Sequence, residues 1–334
     1  MGKMETLGFE LQNKAVLNTL TLDILKSSEI EGEYLEIEQV RSSIARRLGL
    51  DMAGSIYSER NVDGIVEMML DATQHYSAPL TAERLFDWHA ALFPTGRSSI
   101  YKITVADWRK AGPMQIVSGS IGKEKVHYEA PKSERVPGEM NLFLKWFENE
   151  NEIDLVLKAA IAHLWFITIH PFSDGNGRIA RAITDMLLAR SDKSVQRFYS
   201  MSAQIRVERR EYYAILEKTQ KGTSDITEWI LWFLNCLTNA INSTREILSR
   251  VFYSAAFWKL HSTTILNERQ LKIINKLLDG FKGKLTSSKW GNINKCSQDT
   301  ALRDIKDLIK KNILRKTTSG GRSTHYELVK ISGD

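Results

Sequence analysis

The 334-residue chain has only two cysteines, Cys236 and Cys296, far apart in sequence and without metal-ligand spacing. That excludes a disulfide framework and points to a reducing compartment. No uninterrupted apolar run reaches the length of about twenty residues that a membrane helix needs, and the opening stretch, Met1 to Glu10, lacks the apolar core of a secretory signal. A cytoplasmic protein without membrane spans is therefore expected. Internal repeats and low-complexity tracts are also missing. What is present, 43% apolar and 26% charged residues, is the composition of a globular protein with one large domain or two. The net charge of +6 reads as a mild excess spread along the chain, which suits an anionic ligand without demanding nucleic acid.

One stretch organises the rest: His170-Pro171-Phe172-Ser173-Asp174-Gly175-Asn176-Gly177-Arg178-Ile179-Ala180-Arg181. An apolar segment, Leu155 to Ile169, precedes it, and apolar residues at near-helical spacing follow from Ile179 to Leu188, so the pattern predicts helix, tight loop, helix. A loop with two glycines that opens onto a helix N-terminus offers backbone N–H groups to an anion. Arg178 and Arg181 share a helix face and carry forks suited to phosphate oxygens. Asp174 can hold the Mg²⁺ that accompanies a nucleoside triphosphate, and His170 can take a proton from a hydroxyl. Together these residues spell phosphoryl or nucleotidyl transfer.

The stretch also matches, at every fixed position, the signature of the Fic family, His-x-Phe-x-Asp/Glu-Gly-Asn-Gly-Arg-x-x-Arg. The resemblance covers about residues 10 to 235. Fic proteins are mostly AMP transferases, so it implies transfer of AMP from ATP to a Ser, Thr or Tyr hydroxyl of a target protein, with pyrophosphate released. His170 then takes the hydroxyl proton, and Asp174 holds Mg²⁺ between the α- and β-phosphates. The amides of Gly175 to Gly177 and the Asn176 side chain neutralise phosphate charge; Arg178 and Arg181 hold the β- and γ-phosphates. Family members that phosphorylate have lysine where Gly177 stands, which disfavours kinase chemistry.

From about Asn13 to Glu31 the pattern is helical, with Leu17, Leu20, Ile24 and Ser27 on one stripe and Gly32 as its stop. By periodicity alone Glu31 belongs to a solvated last turn. Ser27-Ser28-Glu29-Ile30-Glu31-Gly32, however, resembles the family's inhibitory motif, Ser/Thr-x-x-x-Glu-Gly/Asn. That implies Glu31 pairing with Arg181 and steadied by Ser27. Further helices are expected around Ile37 to Leu48, around Ile65 to Ala72, and from Thr81 to Phe93, where His89 reads as an interior histidine. Met114 to Ser118 and Lys125 to Tyr128 read as a β-hairpin. In Fic proteins such a hairpin is a flap over the active site that pairs with the target peptide; the resemblance puts Val117, Ser118, Gly119 and Ser120 against ATP. A helix from Pro137 to Asn149 and another from Val207 to Thr219 are expected. Tyr212-Tyr213 matches a family pair whose first member lines the nucleotide site. Gln220 stands where the family tends to have asparagine.

A helix of about thirty residues ends near Lys259. Beyond it, helices around Ile273 to Leu278, Ser287 to Lys295 and Gln298 to Lys311 and a hairpin of Ile313 to Lys316 with His325 to Leu328 resemble a winged helix-turn-helix. Its basic third helix suits either a DNA groove or a protein partner. The expected fold is thus mainly α: an N-terminal helical region with the inhibitory helix (1–95, helix about 13–32), a Fic core with flap (96–260) and a winged-helix domain (261–334). A homodimer is compatible with this. Two rival functions stay open: removal of AMP by Glu31, and a DNA-binding regulator whose core only senses nucleotide.

Overall fold

The structure is a computed structural model that describes residues 9–50, 56–110, 113–118, 125–278, 281, 283–317 and 324–330. The chain divides into two compact units, Met1–Asn242 and Ser243–Asp334, and the division falls inside a long helix. The mainly α architecture expected from the sequence is the one observed.

In the first unit the elements run α1 (Phe9–Ile30), α2 (Ile37–Arg47), α3 (Arg60–Gln74), α4 (Ala82–Leu92), β1 (Arg97–Ser98), β2 (Tyr101–Lys102), β3 (Gln115–Ser118), β4 (Lys125–Glu129), α5 (Val136–Asn149), α6 (Leu155–Ile169), α7 (Asn176–Asp192), α8 (Met201–Val207), α9 (Arg209–Lys221) and the start of α10 (Thr227–Leu260). The α6–α7 hairpin is its centre. Asp154 caps α6 by accepting from the Val156 and Leu157 N–H groups at 2.9 and 3.4 Å, which satisfies two donors the helix leaves open. Helix α6 is apolar almost all round, as a helix packed on several sides must be. Close approach elsewhere needs small residues: a Cβ on Gly64 of α3 would lie 1.7 Å from the Ala91 carbonyl oxygen of α4.

Helix α1 packs on α2, α3, α7 and α8. Its stripe Leu17, Leu20, Ile24 and Ser27 is buried. A buried charge cluster fastens it. Arg197 lies 2.6 Å from Asp185 of α7 and 3.5 Å from Asp23 of α1, and Ser200 donates to Asp23 at 2.5 Å. Burial, and then the neighbouring Asp185, push the Asp23 carboxyl up to about 7; two buried carboxylates on one guanidinium favour one of them protonated.

Two features depart from the sequence expectation. The helix expected from Val207 is interrupted: Val207 ends α8 and Glu208 is the joint to α9. The Glu208 carboxylate accepts from Gln204 at 2.6 Å and from Asn239 of α10 at 2.9 Å, a tertiary contact that no local pattern announces. The β1–β2 ribbon, register Arg97↔Lys102 and Ser98↔Tyr101, was not expected. The flap strands pair antiparallel, with a bulge between Ile116 and Val117. Gly119 and Ser120 lie outside the described residues.

The second unit has its own core, including Phe257, Ile273, Ile274, Trp290, Ile305 and Leu308. Around it lie α11 (Glu268–Leu278), α12 (Ser287–Asn294), α13 (Gln298–Lys310) and the antiparallel pair β5 (Leu314–Lys316) and β6 (Tyr326–Leu328). Among the described residues no helix is long and apolar enough to cross a membrane.

Candidate active site

His170 ends α6 in the left-handed region, at φ 52°, a conformation uncommon for a residue with a Cβ. Its N–H still bonds the Phe166 carbonyl at 3.0 Å. Arg109 holds the turn from outside: its Nε donates to His170 O at 2.8 Å, its backbone N–H to Pro171 O at 2.9 Å, and its Nη2 to Pro131 O at the foot of the flap. The loop then folds back on Asn176. The Asn176 side chain accepts from the Phe172 N–H at 2.9 Å and donates to Phe172 O at 2.8 Å. The expected phosphate contact of this amide thus gives way to a loop clamp, because both of its polar ends meet the Phe172 backbone. Gly175, at φ 81°, caps α7. The first bond from within the helix runs from Ile179 N–H to Gly175 O at 3.0 Å, so the amides of residues 176–178 have no acceptor inside α7.

The His170 ring is set for one role. Nδ1 lies 3.2 Å from the Ile167 carbonyl oxygen. A carbonyl only accepts, so Nδ1 carries the hydrogen and Nε2 keeps its lone pair. Burial pushes the imidazole down to about 4, opposed by the Ile167 bond, so the ring is neutral at neutral pH. Asp174 is fixed at both oxygens: Oδ1 accepts from the Gly175 N–H at 2.6 Å and Oδ2 from the Ser98 hydroxyl. Its carbonyl accepts from His89 Nε2 at 3.2 Å, while His89 Nδ1 accepts from Ala106 N–H at 3.3 Å. His89 is an interior support stacked on Phe172 at 4.2 Å. Among the described residues no group of three or more His, Cys, Asp or Glu can enclose a metal. A lone carboxylate on a polar loop suits Mg²⁺, which takes most of its ligands from water and substrate phosphates.

Both arginines are buried, Arg178 at 4% and Arg181 at 2% exposure, and both are engaged. Arg181 Nη2 meets Glu31 Oε1 at 2.8 Å and Ser27 O at 2.9 Å; its Nε donates to Ser27 Oγ at 2.8 Å. Ser27 was expected to steady Glu31; it grips Arg181 instead, because it points from the buried stripe of α1 directly at α7. Burial opposes the Arg181 charge, but Glu31, Tyr212 and Tyr213 together outweigh it and raise its pKa. Arg178 Nη1 meets Glu33 Oε2 at 2.6 Å. Each fork still has a buried nitrogen without a partner, Arg181 Nη1 and Arg178 Nε. Buried donors left open are costly and fit an anionic ligand. A Cβ on Gly177 would lie 2.1 Å from Glu31 Oε1 and 3.2 Å from Arg181 Nη1, so the cradle has room for Glu31 only because residue 177 has no side chain.

Behind Arg181 a closed relay fixes the floor. Tyr212 O–H donates to His163 Nε2 at 2.9 Å, His163 Nδ1 donates to Thr184 Oγ1 at 2.8 Å, and Thr184 donates to Ala180 O at 2.9 Å. Burial pushes His163 down to about 3, as its acceptor role requires. Tyr212 is therefore interior, at 2% exposure, whereas Tyr213 is 38% exposed and feels the Glu31 and Arg181 charges. The flap is tied beside His170 by Tyr128 O–H to Thr168 O at 3.1 Å and by His127 Nδ1 to Glu217 at 2.5 Å. Val117 stands 48% exposed on β3, which ends at Ser118. Gln220 donates to Thr168 Oγ1 at 3.3 Å, on the rim of a cavity of about 300 Å³ with Trp165 and Ile226. Sequence reasoning missed Ser98, Arg109, Glu33 and Tyr213. Only the last two had a local signal, adjacency to Gly32 and to Tyr212.

The model of the Fic/DOC family matches residues 79–188, which include the loop, both arginines and the β1–β2 ribbon. Residues 79–188 are a Fic domain. Residues 1–50, with α1, match a domain of unknown function, DUF4172. A probable protein adenylyltransferase of Aquifex aeolicus is 30% identical over 101 residues, 30% of this chain and 29% of the relative. The protein adenylyltransferase Fic of Aedes aegypti is 26% identical over 227 residues, 66% of this chain and 40% of the relative. The matches thus span less than half the length of these two relatives. A Fic family protein from Desulfovibrio desulfuricans shares the fold at 22% identity, with a TM-score of 0.54 over 99% of this chain and 91% of the other.

Proposed function

We propose that the Fic domain transfers AMP from ATP to a hydroxyl side chain of a target protein. The observation that carries this reading is His170 with its Nδ1–H held by Ile167 O and its Nε2 lone pair open, at the mouth of a loop that leads to three open amides and two buried arginines. Nε2 takes the hydroxyl proton as the oxygen attacks the α-phosphorus. The bond from that phosphorus to the bridging oxygen breaks, and pyrophosphate leaves with the electron pair. The α7 amides meet charge developing on the transferred phosphate, and Arg178 and Arg181 align the β- and γ-phosphates for in-line displacement. Asp174 would hold Mg²⁺, which supplies further charge neutralisation there. Strand pairing with the flap presents the target hydroxyl while reading little of its sequence. In the state described, Glu31 occupies Arg181 and the reaction is held back.

ATP labelled on the α-phosphate is expected to mark protein, and γ-labelled ATP is not. Label from the γ-position alone would make the domain a kinase and overturn the reading.

A second activity is favoured by the charge distribution. The excess is not spread evenly: residues 243–334 hold 18 Lys and Arg against 8 Asp and Glu, a net +10, and the remainder holds 28 against 32. We read this unit as a winged helix that binds duplex DNA. Arg303, Lys306 and Lys310 are exposed along one face of α13, and the neighbouring acids are engaged elsewhere, Asp304 by Arg269 at 2.7 Å and Asp307 by Lys311 at 2.5 Å. Changing the three to glutamine is expected to lower the slope of log affinity against log salt by about 2–3, measured by duplex titration. An unchanged slope would leave the face to a protein partner.

A further inference from the structure

We propose that Glu33 is a second brake on the nucleotide site, acting on Arg178 as Glu31 acts on Arg181. It rests on the AMP-transfer reading and extends it to the other arginine. The end of α1 sets it in place. Gly32 adopts φ 86°, and the chain closes with Gly32 N–H on Glu29 O at 3.2 Å and Glu33 N–H on Ser28 O at 3.0 Å. This is the glycine-terminated cap that closes a helix, and the residues just before and just after the glycine contact neighbouring arginines of α7. Here both are glutamates, and both reach α7. The two phosphate-binding forks are three residues apart on that helix, so one turn of chain covers both.

The two brakes differ in how they open. Arg178 is fixed, 4% exposed and lying over the Phe93 ring at 5.1 Å. Glu33 is free to move: its side chain is 48% exposed and borders a cavity of about 490 Å³ that also exposes Arg60 and Arg97. A carboxylate leaving Arg178 thus turns toward other cations. Glu31 is held more closely, between Arg181 and Gly177, with its side chain 30% exposed. A triphosphate competes with both carboxylates, since each glutamate already takes a donor of its fork and sets a negative charge where a phosphate would sit. Glu33 therefore taxes ligands that reach Arg178, namely those with a β-phosphate, and leaves a monophosphate untouched.

The test is equilibrium binding of ATP, ADP and AMP to the full chain as parent, Glu33→Gln, Glu31→Gly and the double variant. Glutamine removes the charge and keeps the N–H that closes the cap, so the melting temperature should match the parent's. In the Glu31→Gly background, Glu33→Gln is expected to strengthen ATP and ADP binding about fivefold, the scale of a half-exposed ion pair, with AMP unchanged. Equal changes for all three nucleotides, or none, while Glu31→Gly alone strengthens ATP binding, would overturn the second brake and leave the transfer reading standing. If no variant binds ATP, both fall.

Discussion

Alanine in place of His170 is expected to lower AMP transfer by about 10²–10⁴-fold, the range for loss of a positioned general base, while ATP binds as it does to the parent. The reasons are geometric. The ring's Nδ1–H is spent on Ile167 O, and Nε2 is the only ring nitrogen left to accept a proton. The amides of α7 and both arginines belong to other residues, so the cradle survives the change. Alanine keeps the Cβ that histidine already carries at φ 52°, so no new group enters the turn. The pH profile carries a second expectation. A base works unprotonated, and burial holds His170 down to about 4. The value of kcat/KM should therefore show no histidine inflection on acidification from neutrality until the pH falls through about 4. A drop centred near 6.5 would mean that burial does not hold the ring neutral. Transfer at the parent rate by the alanine variant would assign the base to another residue.

Glycine in place of Glu31 is expected to raise transfer by about 10²-fold, because a triphosphate displaced by about 1 Å loses rate on that scale. The carboxylate lies 2.8 Å from Arg181 and fills the space over Gly177. Its removal frees both the fork and the volume. Ser27→Ala should act in the same direction and more weakly. It deletes the Oγ contact to Arg181 Nε, while the Ser27 carbonyl contact remains. Self-modification and target modification at matched ATP measure both. Unchanged or lower transfer by a folded Glu31→Gly protein would reject inhibition through this pair. Loss of AMP release from a modified target in that variant would instead make Glu31 the residue that positions water for the reverse reaction.

The parts that sequence could deliver are those fixed by local spacing. Leu17, Leu20, Ile24 and Ser27 lie three or four apart and form one buried stripe. The glycines at 175 and 32 sit where positive φ is required. Tertiary choices were not legible. Asn176 looks like a phosphate ligand until its amide is seen closed on Phe172. Tyr212 and Tyr213 are equivalent in sequence, yet the 100° turn between successive helix residues sends one into the His163 relay and leaves the other at the surface. Arg109 reaches the loop that follows α6 across 61 positions of sequence, and no periodicity encodes that. The charge excess was countable from the outset, but its meaning depends on where the chain divides.

Gly177 ties two histories together. With Glu31 seated, even one methyl group at 177 would stand 2.1 Å from its oxygen. The two positions, 146 residues apart in the chain, are therefore coupled through the space they share. A lineage that acquires a side chain at 177 must first lose, shorten or redirect the glutamate. With the glutamate in its present rotamer there is no volume at 177 for a side chain as long as lysine. Under the reading proposed above, the residue that restrains the site also guards, by volume alone, the glycine on which the choice of transferred group rests.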